Sequence, residues 1–182
     1  MDKGAENYLK YLKGDESGLA AIIAEYRDGL ILYANGIVRN MAAAEDIAED
    51  TFVRLITKKP SFGRHSAFRT WLFGIARNLC YDALRREKFI SAEPPDEDGT
   101  DGESVEAAYI KLEARQKLYA AMKKLPSDRY ELIWLSYFED MTAKEIGKVT
   151  GKSEAAVFMA LSRARAQLKE ILIKEGFTYE DV

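Results

Sequence analysis

The stretch Thr142 to Arg165, TAKEIGKVTGKSEAAVFMALSRAR, constrains this chain most, because it reads as two short helices joined by a Gly-Lys-Ser turn. Thr142, with Glu145 three residues on, forms a capping box that satisfies two backbone donors at a helix start. Ile146 and Val149 face inward, Gly151 gives the backbone freedom for a tight turn, and Ser153 is a good N-cap for the second helix. In that helix Val157, Leu161, Ala164 and Leu168 recur at three- and four-residue spacing, so one face is apolar. The other face carries Glu154, Phe158, Met159, Ser162, Arg163 and Arg165, with Lys152 and Ser153 just before it. A helix-turn-helix of this kind sets the N-terminal half of its second helix in a DNA major groove. Caps and apolar periodicity also describe an ordinary helical hairpin, so the rest of the chain must decide.

A net charge of −3 and a pI near 5.4 argue at first sight against a nucleic-acid binder. The distribution of charge changes that. Ser91 to Glu106, SAEPPDEDGTDGESVE, holds seven acidic residues and no basic one, which leaves both flanks mildly basic. Paired prolines, glycines and like-charge repulsion make this stretch an extended linker and a domain boundary. With 182 residues, 47% of them apolar, two small domains fit better than one large one: 1–90 and 107–182, joined by 91–106. One Cys and one His exclude a disulfide framework and leave too few ligands for a metal site, so neither metal nor cofactor is expected. The N-terminus MDKGAENYLKYLKGDE is charged throughout, and the apolar run GLAAIIA is too short to span a bilayer or act as a signal core. A cytoplasmic protein without membrane insertion is the expectation.

Upstream of the linker the pattern is helical over Leu19 to Tyr33, Ala43 to Ile56 and Phe68 to Phe89, with no strand-like alternation. The fold class is therefore all-α. In AAAEDIAEDTFVRLI the spacing turns Ile47, Phe52, Leu55 and Ile56 toward a core and leaves Glu45, Asp46, Glu49 and Asp50 on an acidic surface. Lys59-Pro60 closes this helix, and SFGRHS follows as a loop with Gly63 as its flexible point. In FRTWLFGIARNLCYDALRR, Leu72, Ile75, Ala76, Leu79 and Ala83 form a core stripe. Arg69, Phe73, Arg77, Tyr81 and Arg85 recur every four residues on another face. Alternating guanidinium and aromatic groups can neutralise phosphates and offer flat faces to unstacked bases. Trp71, Gly74 and Asn78 lie between the faces, and Asn can read an accessible base edge. The lone Cys80 reads as a small buried hydrophobe.

Together these segments resemble the bacterial sigma factors of the extracytoplasmic-function (ECF) type over about residues 15–172. AEDIAEDTFVRL looks like the family's segment that docks on the clamp helices of the polymerase β′ subunit, which implies a polymerase-binding role for Asp46, Glu49, Asp50 and Phe52. FRTWLFGIARNLCYDALRR is similar to the family's −10 element. The resemblance implies base capture by the loop Phe62 to Ser66, including Arg64, with Asn78, and support of the melted strand by Trp71 and Arg77. LPSDRYELIWLSYFEDMTAKEIGKVTGKSEAAVFMALSRARAQL matches the domain that reads the −35 element. Implied partners are core RNA polymerase, through the β′ clamp helices and the β flap, promoter DNA, and an anti-sigma protein acting in trans. The family carries no catalytic residues of its own. At Phe158 and Met159 it more often has a basic or small hydroxyl residue, and at Lys152 an aliphatic one, so the −35 sequence does not follow from the resemblance.

A stand-alone helix-turn-helix regulator would explain residues 107–182 but leave the Arg/aromatic helix and the acidic face idle. An enzyme fits less well: His65 and Cys80 are the only nucleophile-base pair available, Cys80 sits in a helix beside Leu79, and no Gly-rich phosphate loop is present.

Overall fold

The computed structural model describes residues 3–58, 67–90 and 113–177, and every regular element among them is an α-helix. The helices are α1 (Lys3–Leu12), α2 (Ser17–Val38), α3 (Met41–Lys58), α4 (Phe68–Ile90), α5 (Glu113–Lys123), α6 (Ser127–Tyr137), α7 (Ala143–Thr150) and α8 (Glu154–Lys174). None is long and apolar enough to cross a membrane. The expected linker and the loop Phe62 to Ser66 lie outside the described residues.

Helix α1 was not anticipated. Its charged residues point to solvent, while Gly4, Ala5, Tyr8 and Tyr11 recur on one buried face against α2 and α4. Tyr8 is fully buried and packs on Phe68 and Trp71, with ring centroids 5.5 and 5.4 Å away.

The centre of the molecule is the second half of α2. Leu30 to Val38 is buried at every position, all round the helix, because this stretch serves two partners. On one side it packs on α3 and α4, and on the other on α6. A helix wetted on one face cannot carry so uniform an apolar run. The two helical groups, α1–α4 and α5–α8, therefore dock on one another, through α2 with α6 and α4 with α7.

Backbone and side chains make this contact together. The Tyr130 ring lies over Gly36 so closely that a Cβ there would stand 1.8 Å from a ring carbon. The Tyr130 hydroxyl donates to the Leu32 carbonyl at 2.9 Å, Ser127 Oγ donates to the Ile37 carbonyl at 3.2 Å, and Asn35 Nδ2 donates to the Tyr119 hydroxyl at 3.0 Å. Arg39 caps α2 in the left-handed conformation, φ 58°, and its guanidinium donates to the carbonyls of Leu125, at 2.6 Å, and Lys123. A non-glycine residue held there costs about 1 kcal/mol, which such bonds offset.

Candidate nucleic-acid interface

The helix-turn-helix forms from α7 and α8. Thr142 caps α7: Glu145 N donates to Thr142 Oγ1 at 3.3 Å, and Thr142 N donates back to Glu145 Oε2 at 2.9 Å. Gly151 ends the helix at φ 72°. Gly147 faces the Lys152 carbonyl so closely that a Cβ would come within 2.6 Å of its oxygen, so glycine sets how tightly the turn folds back. Ser153 Oγ accepts from Ala156 N at 3.2 Å and so caps α8.

Val157, Leu161, Ala164 and Leu168 seat α8 against α6 and α7 and fix its rotation. Lys152, Ser153, Glu154, Phe158, Met159, Ser162, Arg163 and Arg165 are all exposed, with Phe158 and Met159 each at 60%. Arg165 turns toward α6, its guanidinium carbon 5.4 Å from the Tyr137 ring centroid, whereas Arg163 points away from the buried stripe.

The stripe expected on α4 is divided. Asn78 and Arg85 are exposed, Arg85 pairing with Asp82 one turn back. Trp71 is half-buried between Tyr8 and Phe68. Phe73 corrects the expectation: it is fully buried, edge-on to Tyr33 at 5.1 Å, because α4 is covered by α2 on that side. Arg69 donates to the Asp140 carbonyl at 3.1 Å. Arg77 Nε donates to Glu131 Oε1 at 2.7 Å, and Tyr81 donates to Glu131 Oε2 at 3.3 Å. Three residues read as DNA-facing thus bond to α6 or to the segment just after it.

Glu131 is the residue that sequence reasoning missed. It is 1% exposed and also accepts from the Tyr33 hydroxyl at 2.7 Å. Burial pushes its carboxyl up, while Arg77 and the two tyrosines pull it back. Tyr81 is pushed up to about 12 by burial and by this carboxylate. The available signal was a lone acid inside the otherwise apolar and aromatic run Tyr130 to Leu135. Cys80, buried beside this cluster, has its thiol raised by desolvation, which suits a packing role and not a nucleophile.

On α3, Asp46, Glu49 and Asp50 are exposed as read. Phe52 is a core residue, 6% exposed, and cannot itself be a docking contact in this arrangement. Ile56, expected inside, is 41% exposed, and Val53 is 48% exposed. Val53 lies four residues beyond Glu49 and seven beyond Asp46, so the acids rim an apolar spot that helical spacing would have revealed.

This sequence matches Sigma-70 region 2 over residues 22–90 and Sigma-70, region 4 over residues 115–168. It is 30% identical over 171 residues to the ECF RNA polymerase sigma factor SigW of Bacillus subtilis, covering 88% of this chain and 91% of that one. The chain belongs to the ECF sigma factors. RNA polymerase sigma factor CarQ of Myxococcus xanthus is 28% identical over 163 residues, 90% of this sigma factor and 94% of CarQ.

Solved structures agree in fold. CnrH, determined in complex with the cytosolic domain of CnrY, superposes with a TM-score of 0.67 at 25% identity, over 95% of this sigma factor and 99% of that chain. The sigma factor RpoE from Bartonella quintana, determined in complex with the anti-sigma factor NepR, gives 0.63 at 25% identity, over 90% and 97%.

This sigma factor carries one further surface that the sequence did not localise. An apolar groove of about 580 Å³ runs between α5, α6 and α8, lined by Leu118, Met122, Ile133, Phe138, Leu168 and Leu172, with Arg165 and Lys169 at its edge.

Proposed function

We propose that this chain binds core RNA polymerase and directs promoter-specific initiation, with residues 1–90 serving the −10 element and melting, and 107–182 the −35 element. It acts in the cytoplasm and leaves catalysis to the polymerase. The observation that carries this reading is the order of two sigma regions in one chain, each presenting a surface suited to its task. Region 4 presents an open recognition helix. Region 2 presents Asp46, Glu49 and Asp50 around Val53 and Ile56, an acid-rimmed apolar face suited to the β′ clamp helices. The groove between α5, α6 and α8 suits an apolar helix such as the β flap would offer.

Asn78, Trp71 and Arg85 serve the −10 element, and the family resemblance assigns Phe62 and Arg64 to the same task. Arg69, Arg77 and Tyr81 join them only when region 4 leaves region 2, because their polar groups are bonded to region 4. An anti-sigma protein is the partner that would hold the two regions in a closed form.

The test is co-purification of the tagged chain with bacterial core polymerase, then run-off transcription on fragments of the source genome. Binding with new, discrete start sites is expected. Failure of a folded, inhibitor-free chain to bind core polymerase would leave a stand-alone DNA-binding regulator as the better account.

A further inference from the structure

The tip of the recognition helix has an unusual chemistry for a surface that must read bases. Ala155, Ala156, Phe158 and Met159 are exposed over its first turn and a half, and none offers a side-chain hydrogen-bond donor. The nearest hydroxyl, on Ser153, stands at the N-cap before the helix, where it accepts from Ala156 N. Within α8 itself, side-chain hydrogen bonding to base edges from this end falls to Glu154 before the apolar tip and to Ser162 and Arg163 after it. In the major groove only one base group rewards an apolar side chain, the 5-methyl of thymine.

We infer that Phe158 and Met159 are specificity-determining residues that read thymine methyl groups in the −35 element. This rests on the sigma reading above and adds the chemical class of base that its recognition helix selects. The buried stripe Val157, Leu161 and Ala164 fixes the rotation of α8, so the two side chains stand out at a set angle instead of folding back onto the domain. Lys152 and Arg163 flank them with charges suited to phosphates. The pair is also separate from the apolar groove of region 4. Neither residue lines that groove. A polymerase helix seated in the groove would leave Phe158 and Met159 open, and what lies against the N-terminal half of such a helix is duplex DNA.

The experiment uses holoenzyme made from the full chain and core polymerase, on a promoter found by run-off transcription. Each −35 thymine is replaced in turn by deoxyuridine, which removes the methyl and keeps every hydrogen-bonding group. At one or two positions the wild-type holoenzyme should lose about fourfold in open-complex formation, the worth of one methyl taken out of water. Phe158→Ala and Met159→Ala holoenzymes should transcribe the parent promoter more weakly and no longer distinguish it from the substituted one. Thermal melting of both variants should match wild type, since the side chains are exposed. Tolerance of deoxyuridine at every −35 position by the wild type overturns the inference, as does unchanged activity of both variants. Absence of discrete start sites with wild-type holoenzyme overturns the sigma reading itself, and the thymine readout with it.

Discussion

Arg77 and Glu131 form a buried ion pair across the contact between regions 2 and 4, Nε to Oε1 at 2.7 Å, with side-chain exposures of 22% and 2%. The two ends of the pair are therefore unequal. Arg77→Ala strands a carboxylate in the interior, where losing one partner costs about 3–5 kcal/mol. Glu131→Gln keeps an acceptor for Tyr33 and leaves a guanidinium that water can still reach, so it should cost about 1–2 kcal/mol. Urea denaturation of the two variants checks the order.

Gly36→Ala tests the docking of the regions. In a helix interior this change ordinarily stabilises by about 0.5–1 kcal/mol. Here the new Cβ meets the Tyr130 ring, which its hydroxyl bond to Leu32 and its stacking on Trp134 at 6.0 Å hold in place. The variant should show a larger radius of gyration in solution scattering and tighter binding of a single-stranded −10 oligonucleotide. An unchanged radius would mean that the ring gives way locally.

The pH dependence of stability should carry the mark of Glu139. Burial lifts its carboxyl to about 7 from 4.5 in the unfolded chain, against the opposing effects of the Trp134 indole bond and Arg69 and with a small added push from Asp140. The folded chain keeps a proton that the unfolded chain releases between those values, so this group's contribution is greatest below the lower value and falls as pH rises through the upper one. Glu139→Gln should remove that decline and stabilise the protein at pH 8 by about 1–3 kcal/mol. Paired melting curves across this range check it.

Arg163 and Arg165 should separate in a salt titration. Removing the Arg163 charge should weaken promoter binding and flatten its salt slope by about one unit. Arg165, lying over Tyr137 at the edge of the groove, should leave the slope nearly unchanged.

Asn78 and Trp71 should also part company. Asn78→Ala removes an exposed side chain and should abolish open-complex formation at an unchanged melting temperature. Trp71→Ala takes a ring from the Tyr8 and Phe68 cluster and should lower stability by about 2–4 kcal/mol. Equal melting temperatures for the two would place Trp71 outside the fold's support.

The helix-turn-helix was legible in the sequence because its determinants are local: Thr142 and Glu145 meet within one turn, Gly151 acts through its own backbone, and Ser153 caps its own helix. The docking of the two regions was not legible. Arg77 and Glu131 are 54 residues apart, and a guanidinium every fourth residue looks the same whether it faces a phosphate or a buried acid. Phe73 failed for the same reason, since periodicity gives the face of α4 but not how many neighbours cover it. Ile56 erred the other way, and its exposed neighbour Val53 was not read at all. An apolar residue at helical spacing was assigned to the core, although a surface that docks on a partner keeps such residues outside.

The uniform burial of α2 from Leu30 to Val38 bears on how the protein survives between tasks. If α6 lifts away, the strip of α2 carrying Tyr33 and Gly36 meets water, and so does the ring of Tyr130 that covered it. Exposed apolar surface of that kind invites aggregation. The open form is then short-lived unless another surface takes over the cover, so solubility itself couples opening to the arrival of a partner.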